Sequence, residues 1–280
     1  MPRLSLNIKE IGLLKLASWN VNSIKIRLEQ VLAWIEQTQT DILALQETKI
    51  IDEQFPSEVF TTAGYHVAYA GQKSYNGVAI ISKYPLSDVL VDVPDYTDPQ
   101  RRVLAATVEG IRVINLYVPN GSSPESEKYL YKLNWLREVT RFIEAQMNLY
   151  PHMAIVGDFN IAPEDRDVHD PLAWIGQVLV SEPEREAFAT LLKLGFQDSF
   201  RQFHQDGQHF SWWDYRAAGF RRNRGVRIDH ILLSEALSPF CTHAHIDIEP
   251  RKSERPSDHA PIWVELKNHN LTAQDKNIMV

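Results

Sequence analysis

The stretch HMAIVGDFNIAP, residues 152–163, runs from an apolar segment straight into an acid and an amide. Met153 to Val156 read as a buried strand, and Asp158 and Asn160 follow at its end. The same arrangement recurs outward in both directions. LASWNVNS (16–23) ends on Asn20 and Asn22, ILALQETK (42–49) on Gln46 and Glu47, and INLYVPNG (114–121) on Tyr117 and Asn120. RIDHILL (227–233) carries Asp229 near its start, and PSDHAP (256–261) sets Asp258 and His259 just before a strand. If these strands are neighbours, their polar ends converge on one rim of the sheets.

Strand patterns cover 15–21, 41–46, 65–70, 77–82, 102–108, 111–118, 152–158, 227–234 and 260–266. Helical spacing is clear in three places. Ile24, Leu28, Val31, Leu32 and Ile35 form one apolar stripe, and Tyr129, Leu133, Leu136 and Ile143 belong to another within 125–149. Phe188, Leu191 and Leu192 mark a third, after the capping sequence SEPE at 181–184. Strands outnumber helices, which predicts a mixed α/β fold rather than a simple βα alternation. Residues 1–14 read as an extension and 268–280 as a polar tail, with no linker dividing the single domain 15–267 between them.

A chain of 280 residues with 44% hydrophobic and 23% charged residues has ordinary globular composition. One cysteine, Cys241, excludes an internal disulfide framework and any Cys₄ or Cys₂His₂ zinc site, and it reads as a small buried apolar residue. No apolar run has membrane-spanning length and the start lacks a secretory apolar region, so a soluble cytoplasmic protein is expected. The net charge of −7 weighs against a polyanionic partner. The positive charge is uneven, however. Arg216, Arg221, Arg222, Arg224 and Arg227 crowd one stretch beside Trp212 and Trp213, and Arg251, Lys252 and Arg255 precede SDHAP. That is a local footprint for phosphates.

Carboxylates and amides at strand ends suit a hard divalent cation, Mg²⁺ or Mn²⁺, better than zinc. With a His beside an Asp, and a Tyr, they suit phosphodiester hydrolysis. Phosphate-loop, nucleophile-elbow, CxxC and dinucleotide-binding motifs are missing.

SWNVNS, LQETK, YVPNG, GDFNIAP, FSWWDYR, NRGVRIDHIL and SDHAP, in this order, closely resemble the exonuclease III-type AP endonucleases of the endonuclease/exonuclease/phosphatase superfamily. The resemblance covers about residues 15–266. It implies a four-layered α/β sandwich of two packed, mostly antiparallel sheets flanked by helices, as in DNase I. It implies Mg²⁺, with Mn²⁺ as a possible substitute, and duplex DNA with abasic (AP) sites, nicks or blocked 3′ ends. A monomer is the family default. Carried over, Glu47 matches the principal metal carboxylate, Asn20 the amide beside it, and Asp258 a further metal-site acid that orients His259. Asp158 matches the proton carrier, and Asn160 an amide holding phosphate or water. Asp229 and His259 match a pair beside the scissile phosphate, with His259 open as base or donor. Asp158, Asn160 and His259 are also counted with the metal set. Tyr117 matches a phenol pointing into the site. Trp212, with Phe210, would line a pocket for an abasic sugar. Arg102 resembles a DNA-contacting arginine, and Asn120, Arg216, Arg221, Arg222 and Arg224 join the substrate surface.

His169, in the stretch after GDFN, puts an imidazole where a smaller residue would leave room. It is expected to narrow the pocket and favour 3′-end processing over AP-site incision. Two alternatives stand beside the nuclease reading: a phosphoesterase for a non-DNA ester, and a non-catalytic DNA-binding module that kept the fold.

Overall fold

The computed structural model describes residues 12–267. The tail 268–280 and most of the 1–14 extension lie outside these residues, and Leu13 and Leu14 already belong to the first strand. In chain order the first half contributes β1 (Leu13–Asn20), α1 (Ile24–Thr38), β2 (Ile42–Gln46), α2 (Ser57–Thr62), β3 (His66–Ala70), β4 (Val78–Ser82), β5 (Ser87–Val91), β6 (Val103–Val108) and β7 (Ile111–Tyr117). The second half contributes α3 (Glu127–Met147), β8 (Met153–Asp158), α4 (Pro171–Trp174), α5 (Glu182–Lys193), β9 (Phe196–Asp198), α6 (Ser199–Phe203), β10 (Trp212–Trp213), β11 (Gly225–Val226), β12 (Asp229–Ser234), β13 (Cys241–Ile246) and β14 (Ile262–Lys267).

One six-stranded sheet has the order β13-β14-β1-β2-β4-β3 and the other β5-β6-β7-β8-β12-β9. Most pairs are antiparallel. The two parallel pairs, β1 with β2 and β7 with β8, are each bridged by a long helix, α1 and α3. Strand alternation sorts the side chains into layers. Leu14, Leu16, Ile42, Ala44, Val78 and Ile80 meet Leu104, Ala106, Val113, Ala154, Val156 and Ile231 between the sheets. Trp19, Leu43, Leu45 and Ile81 turn outward against Val31, Trp34 and Ile35 of α1. Ile114, Leu116, Ile155 and Leu232 turn the other way, onto Trp135, Leu136 and Val139 of α3 and Phe188 of α5. Helix, sheet, sheet, helix are the four layers, and each large buried side chain contributes about 1.5–3 kcal/mol.

Every strand expected from the sequence is present. The additional ones are short or marginal: β5 lies at a sheet edge with mostly exposed residues, and in β13 only Ala244 and Ile246 are buried. Cys241 is only half-buried, at the start of that edge strand. Of the three helical stripes, the α5 stripe is narrower than expected, with Leu192 exposed. Its start is as the sequence indicates: Ser181 and Glu184 form a reciprocal capping box.

Gly157 is required where it stands. It has φ 144°, and a Cβ would lie 1.9 Å from the Leu116 carbonyl oxygen across the parallel β7–β8 pair. The backbone therefore arrives at Asp158 pressed against β7. Between the sheets, Gln46 Nε2 donates to Asn115 Oδ1 at 2.7 Å, and Asn115 Nδ2 donates to the Leu45 and Ala79 carbonyls at 2.9 Å. These buried amide bonds tie the two sheets together just beneath the rim. Among the described residues no helix is long and apolar enough to cross a membrane.

Candidate active site

The polar strand ends converge. Asn20 and Glu47 arrive from β1 and the end of β2, Tyr117 and Asp158 from β7 and β8, Asp229 from β12, and His259 from the approach to β14. Several sit at left-handed backbone positions just past a strand, including Asn22 (φ 44°), Glu47 (φ 53°) and Asn160 (φ 49°). Such conformations persist where the surroundings over-determine them.

At the centre, ligand atoms of Glu47, Asp158 and His259 all lie within 4.8 Å of one another. Asn20 Nδ2 donates to Glu47 Oε1 at 2.8 Å and to Asp158 Oδ2 at 2.9 Å. Its Oδ1 accepts the Asn22 backbone N–H at 3.0 Å, which fixes the amide orientation. Asn20 therefore stands beside Glu47, as the resemblance implies, and spaces the two carboxylates with its N–H groups. Asn160 is held similarly. Its Nδ2 donates to the Val118 carbonyl at 3.0 Å, its Oδ1 accepts from Asn120 Nδ2 at 2.9 Å, and its backbone N–H donates to Asp158 Oδ1 at 2.9 Å.

His259 Nδ1 lies 2.9 Å from Asp229 Oδ2, while Nε2 faces Asp158 Oδ2 at 3.7 Å. Burial opposes charging of the imidazole, but Asp229 and then Asp158 outweigh it and raise its pKa. Burial, reinforced by Asp229 and Glu47, raises the pKa of Asp158 against the pull of His259 and Asn20. Asp229 itself accepts the Ser211 hydroxyl at 2.6 Å, which aims the carboxylate at the ring. The phenol of Tyr117 hydrogen-bonds Glu47, and burial followed by that carboxylate pushes its pKa well up.

Asp258 stands apart. Its oxygens accept from Asn22 Nδ2 at 2.9 Å and Trp212 Nε1 at 3.0 Å. Burial disfavours its charge, but His259, Trp212 and Asn22 prevail and hold its carboxyl below the usual range. It thus anchors the Trp212 wall, and the acid that orients His259 is Asp229. Trp212 pairs with Val226 across β10–β11 and bridges to His259. Val226 also bridges to Val168, so half-buried His169 lies on the lip beside this wall, its ring edge-on to Trp174.

Other expected residues fall elsewhere. Phe210 is 4% exposed and packs edge-on against Trp213 in the core, so it does not line a pocket. Arg102 is also buried. It donates to Gln100 Oε1 and the Tyr117 carbonyl, and stacks 4.6 Å from the Tyr117 ring centroid. It supports the phenol and lines an open cleft together with Tyr117 and Asn120. Arg221, Arg222 and Arg224 are exposed, as is Arg216, which pairs with Asp214 at 2.7 Å. Arg227 and Arg251 leave the cationic footprint, because both are buried, and Arg227 pairs with Asp167 and Asp198. Residues that went unremarked are Lys49, 2.6 Å from both Glu47 Oε2 and Asn22 Oδ1, and Ser211. The K of QETK was the one visible signal for Lys49.

Two packed sheets with a carboxylate–imidazole rim define a phosphoesterase of the DNase I-like fold. The chain matches the Endonuclease/Exonuclease/phosphatase family over residues 17–259 and belongs to it, within the exodeoxyribonuclease III-type branch of DNA-repair nucleases that hydrolyse phosphodiester bonds. It is 38% identical over 267 residues to the exodeoxyribonuclease III of Haemophilus influenzae, covering 91% of this chain and 100% of that one. It is similar in structure to the 3′ phosphatase NExo from Neisseria bound to a product DNA hairpin (TM-score 0.89, 44% identity, 90% and 99% of the chains). It is also similar to an AP endonuclease from Archaeoglobus fulgidus (TM-score 0.87, 39% identity, 90% and 99%).

Proposed function

We propose that this nuclease removes blocking groups and nucleotides from 3′ ends of duplex DNA and cuts beside AP sites, using a divalent cation held by Glu47 and Asp158. The observation that carries this reading is the buried Asp229–His259–Asp158 chain closing on Glu47. Two carboxylates bridged by an amide donor fit a hard ion, Mg²⁺ with Mn²⁺ as substitute. When bound, such an ion supplies positive charge against the negative charge that builds on the phosphate.

The protein's own groups do the rest. Asp158, its pKa raised by burial, takes a proton from the attacking water as the water oxygen bonds to phosphorus, and the 3′ oxygen leaves from the opposite side and picks up a proton from solvent. His259, gripped at Nδ1 by Asp229, donates from Nε2 to a phosphate oxygen, a donor role that the Nδ1–Asp229 contact and its raised pKa support. Tyr117 and Lys49 steady Glu47, and Asn160 offers its remaining amide N–H to the phosphate. Trp212 walls the sugar site, and His169 on the adjoining lip limits its width. The similarity to a 3′ phosphatase supports 3′-end processing as the main activity. Residues 15–267 are read as one domain, acting as a cytoplasmic monomer; the core shared by both sheets supports the single domain.

The test is cleavage of AP-site, nicked 3′-phosphate and intact duplexes with Mg²⁺ or EDTA. EDTA-sensitive processing of the damaged duplexes is expected. No such cleavage of any duplex would leave a non-catalytic DNA binder or a phosphoesterase for another ester. In the same assay His169→Gly should raise AP incision relative to 3′-phosphate removal, and an unchanged ratio removes His169 from the argument.

A further inference from the structure

Lys132 lies in the second turn of α3, and its ammonium group is fully buried behind the loops that carry Asn120 and Asn160. The next residues on that helix face are apolar, with Trp135, Leu136 and Val139 packed on the sheet. A lysine in such a place is costly unless each of its three N–H donors finds an acceptor. Lys132 has three. Nζ donates to the Asn160 carbonyl at 2.6 Å, to the Asn120 carbonyl at 3.2 Å, and to Glu184 Oε1.

The two carbonyls belong to different strand-end loops. Their residues are joined on the substrate side by the Asn120 Nδ2 to Asn160 Oδ1 bond, and Asn160 N–H holds Asp158 Oδ1. Asn160 has φ 49° and the neighbouring Gly121 has φ 97°, so both loops take left-handed turns that regular pairing would not hold. A Cβ on Gly121 would meet Lys132 Cδ at 3.3 Å, a measure of how closely the lysine fills the space beneath. The third acceptor, Glu184, is equally buried and caps α5 through Ser181, whose hydroxyl meets Tyr129 at 2.6 Å.

We propose that Lys132, held by Glu184, is a positioning residue for the reaction: its ammonium pins both asparagine loops from behind and so sets where the Asp158 carboxylate and the Asn160 amide stand. This rests on Asp158 and Asn160 acting as in the preceding section. A buried ion pair can often be replaced by neutral groups with little loss of stability, whereas removing one partner is destabilising. The informative variant is therefore Lys132→Met/Glu184→Gln, whose glutamine can still accept from Ser181.

The double variant should melt near the wild type. Its kcat on a nicked 3′-phosphate duplex should fall about 10²-fold, as expected for a displacement of about 1 Å, with KM changed less. Hydrogen exchange of the Asn160 amide should quicken at least about tenfold, which corresponds to about 1.4 kcal/mol lost from the Asp158 bond, while amides of β7 and β8 stay protected. This second readout needs no activity, so a failure of the nuclease assignment is separable from a failure of this proposal. Wild-type kcat, or unchanged Asn160 exchange in the double variant, overturns it. Lys132→Met alone should lose stability as well, because it leaves Glu184 buried and unpaired; a single variant as stable as the double one would also count against the pairing.

Discussion

At the scale of residues, the site depends on where protons can reside. Asp158 and His259 are buried, so burial and the charged groups beside them set their protonation rather than water. Asp158→Asn keeps the shape and the bond from Asn20 but removes the proton acceptor. Single-turnover kinetics should show kcat lowered by about 10²-fold or more with duplex affinity retained. Activity near the wild-type level would transfer the proton to another group. Glu47, Asp158, Asp229 and His259 were legible in the sequence because each closes an apolar run. Asn20 and Asp258 lie at the rim, but their hydrogen-bond partners could not be read from the sequence. An amide has two faces, and which one meets a carboxylate depends on a backbone N–H such as that of Asn22. Ser211 and Lys132 carry no local signature, since each takes its meaning from residues far along the chain, and Lys49 showed only as the K of QETK.

At the scale of elements, the entry to β12 is tied down by charge. Arg227 Nε donates to Asp167 Oδ1 at 2.6 Å and its Nη1 to Asp198 Oδ2 at 2.8 Å, so the loop before α4 and the end of β9 are stapled to the strand that delivers Asp229. His230, next along, contacts Arg227 Nη1 through Nδ1 at 3.1 Å and the Ile161 carbonyl through Nε2 at 2.9 Å. Only a neutral ring with its proton on Nε2 satisfies both. Burial first, and then Arg227, lower its pKa from 6.5 to about 4. Because the folded pKa lies below the unfolded one, the unfolded chain takes up the extra proton between pH 6.5 and 4, and stability falls as pH drops through that window. Urea unfolding at pH 7 and pH 5 should differ by about 2 kcal/mol more in the wild type than in His230→Gln, which keeps a donor and an acceptor without titrating. Equal differences would refute the neutral ring. The arginine run misled at Arg227 because composition does not reveal which member of a cationic stretch turns inward. Phe210 misled similarly: it lies beneath Gly225, where a Cβ would come within 2.5 Å of its own, while Trp212 two residues on is the one that reaches the rim.

For the whole molecule, an acidic chain acts on a polyanion because its charge is sorted. Carboxylates gather at the rim, and Arg221, Arg222 and Arg224 remain exposed in the loop between β10 and β11. Each arginine that meets a phosphate should contribute about 0.9 to the slope of log affinity against log salt, so each Arg→Ala change should reduce the measured slope by about 1. A slope unaffected by all three substitutions would move the DNA path elsewhere. The four layers were legible because strand and helix periods differ, whereas the short β9, β10 and β11 gave too few residues for any period to register. One feature of the layering reaches beyond cleavage. β1 pairs with β14, Trp19 Nε1 donates to the His259 carbonyl at 3.2 Å, and Ser257 Oγ donates to the Asn20 carbonyl at 2.6 Å. The beginning of the domain is completed by its end. A chain that ends before Ser257 would therefore carry Asn20, Glu47, Asp158 and Asp229 but neither His259 nor the partner strand of β1, and such a truncated product is expected to be inert rather than an unregulated cutter.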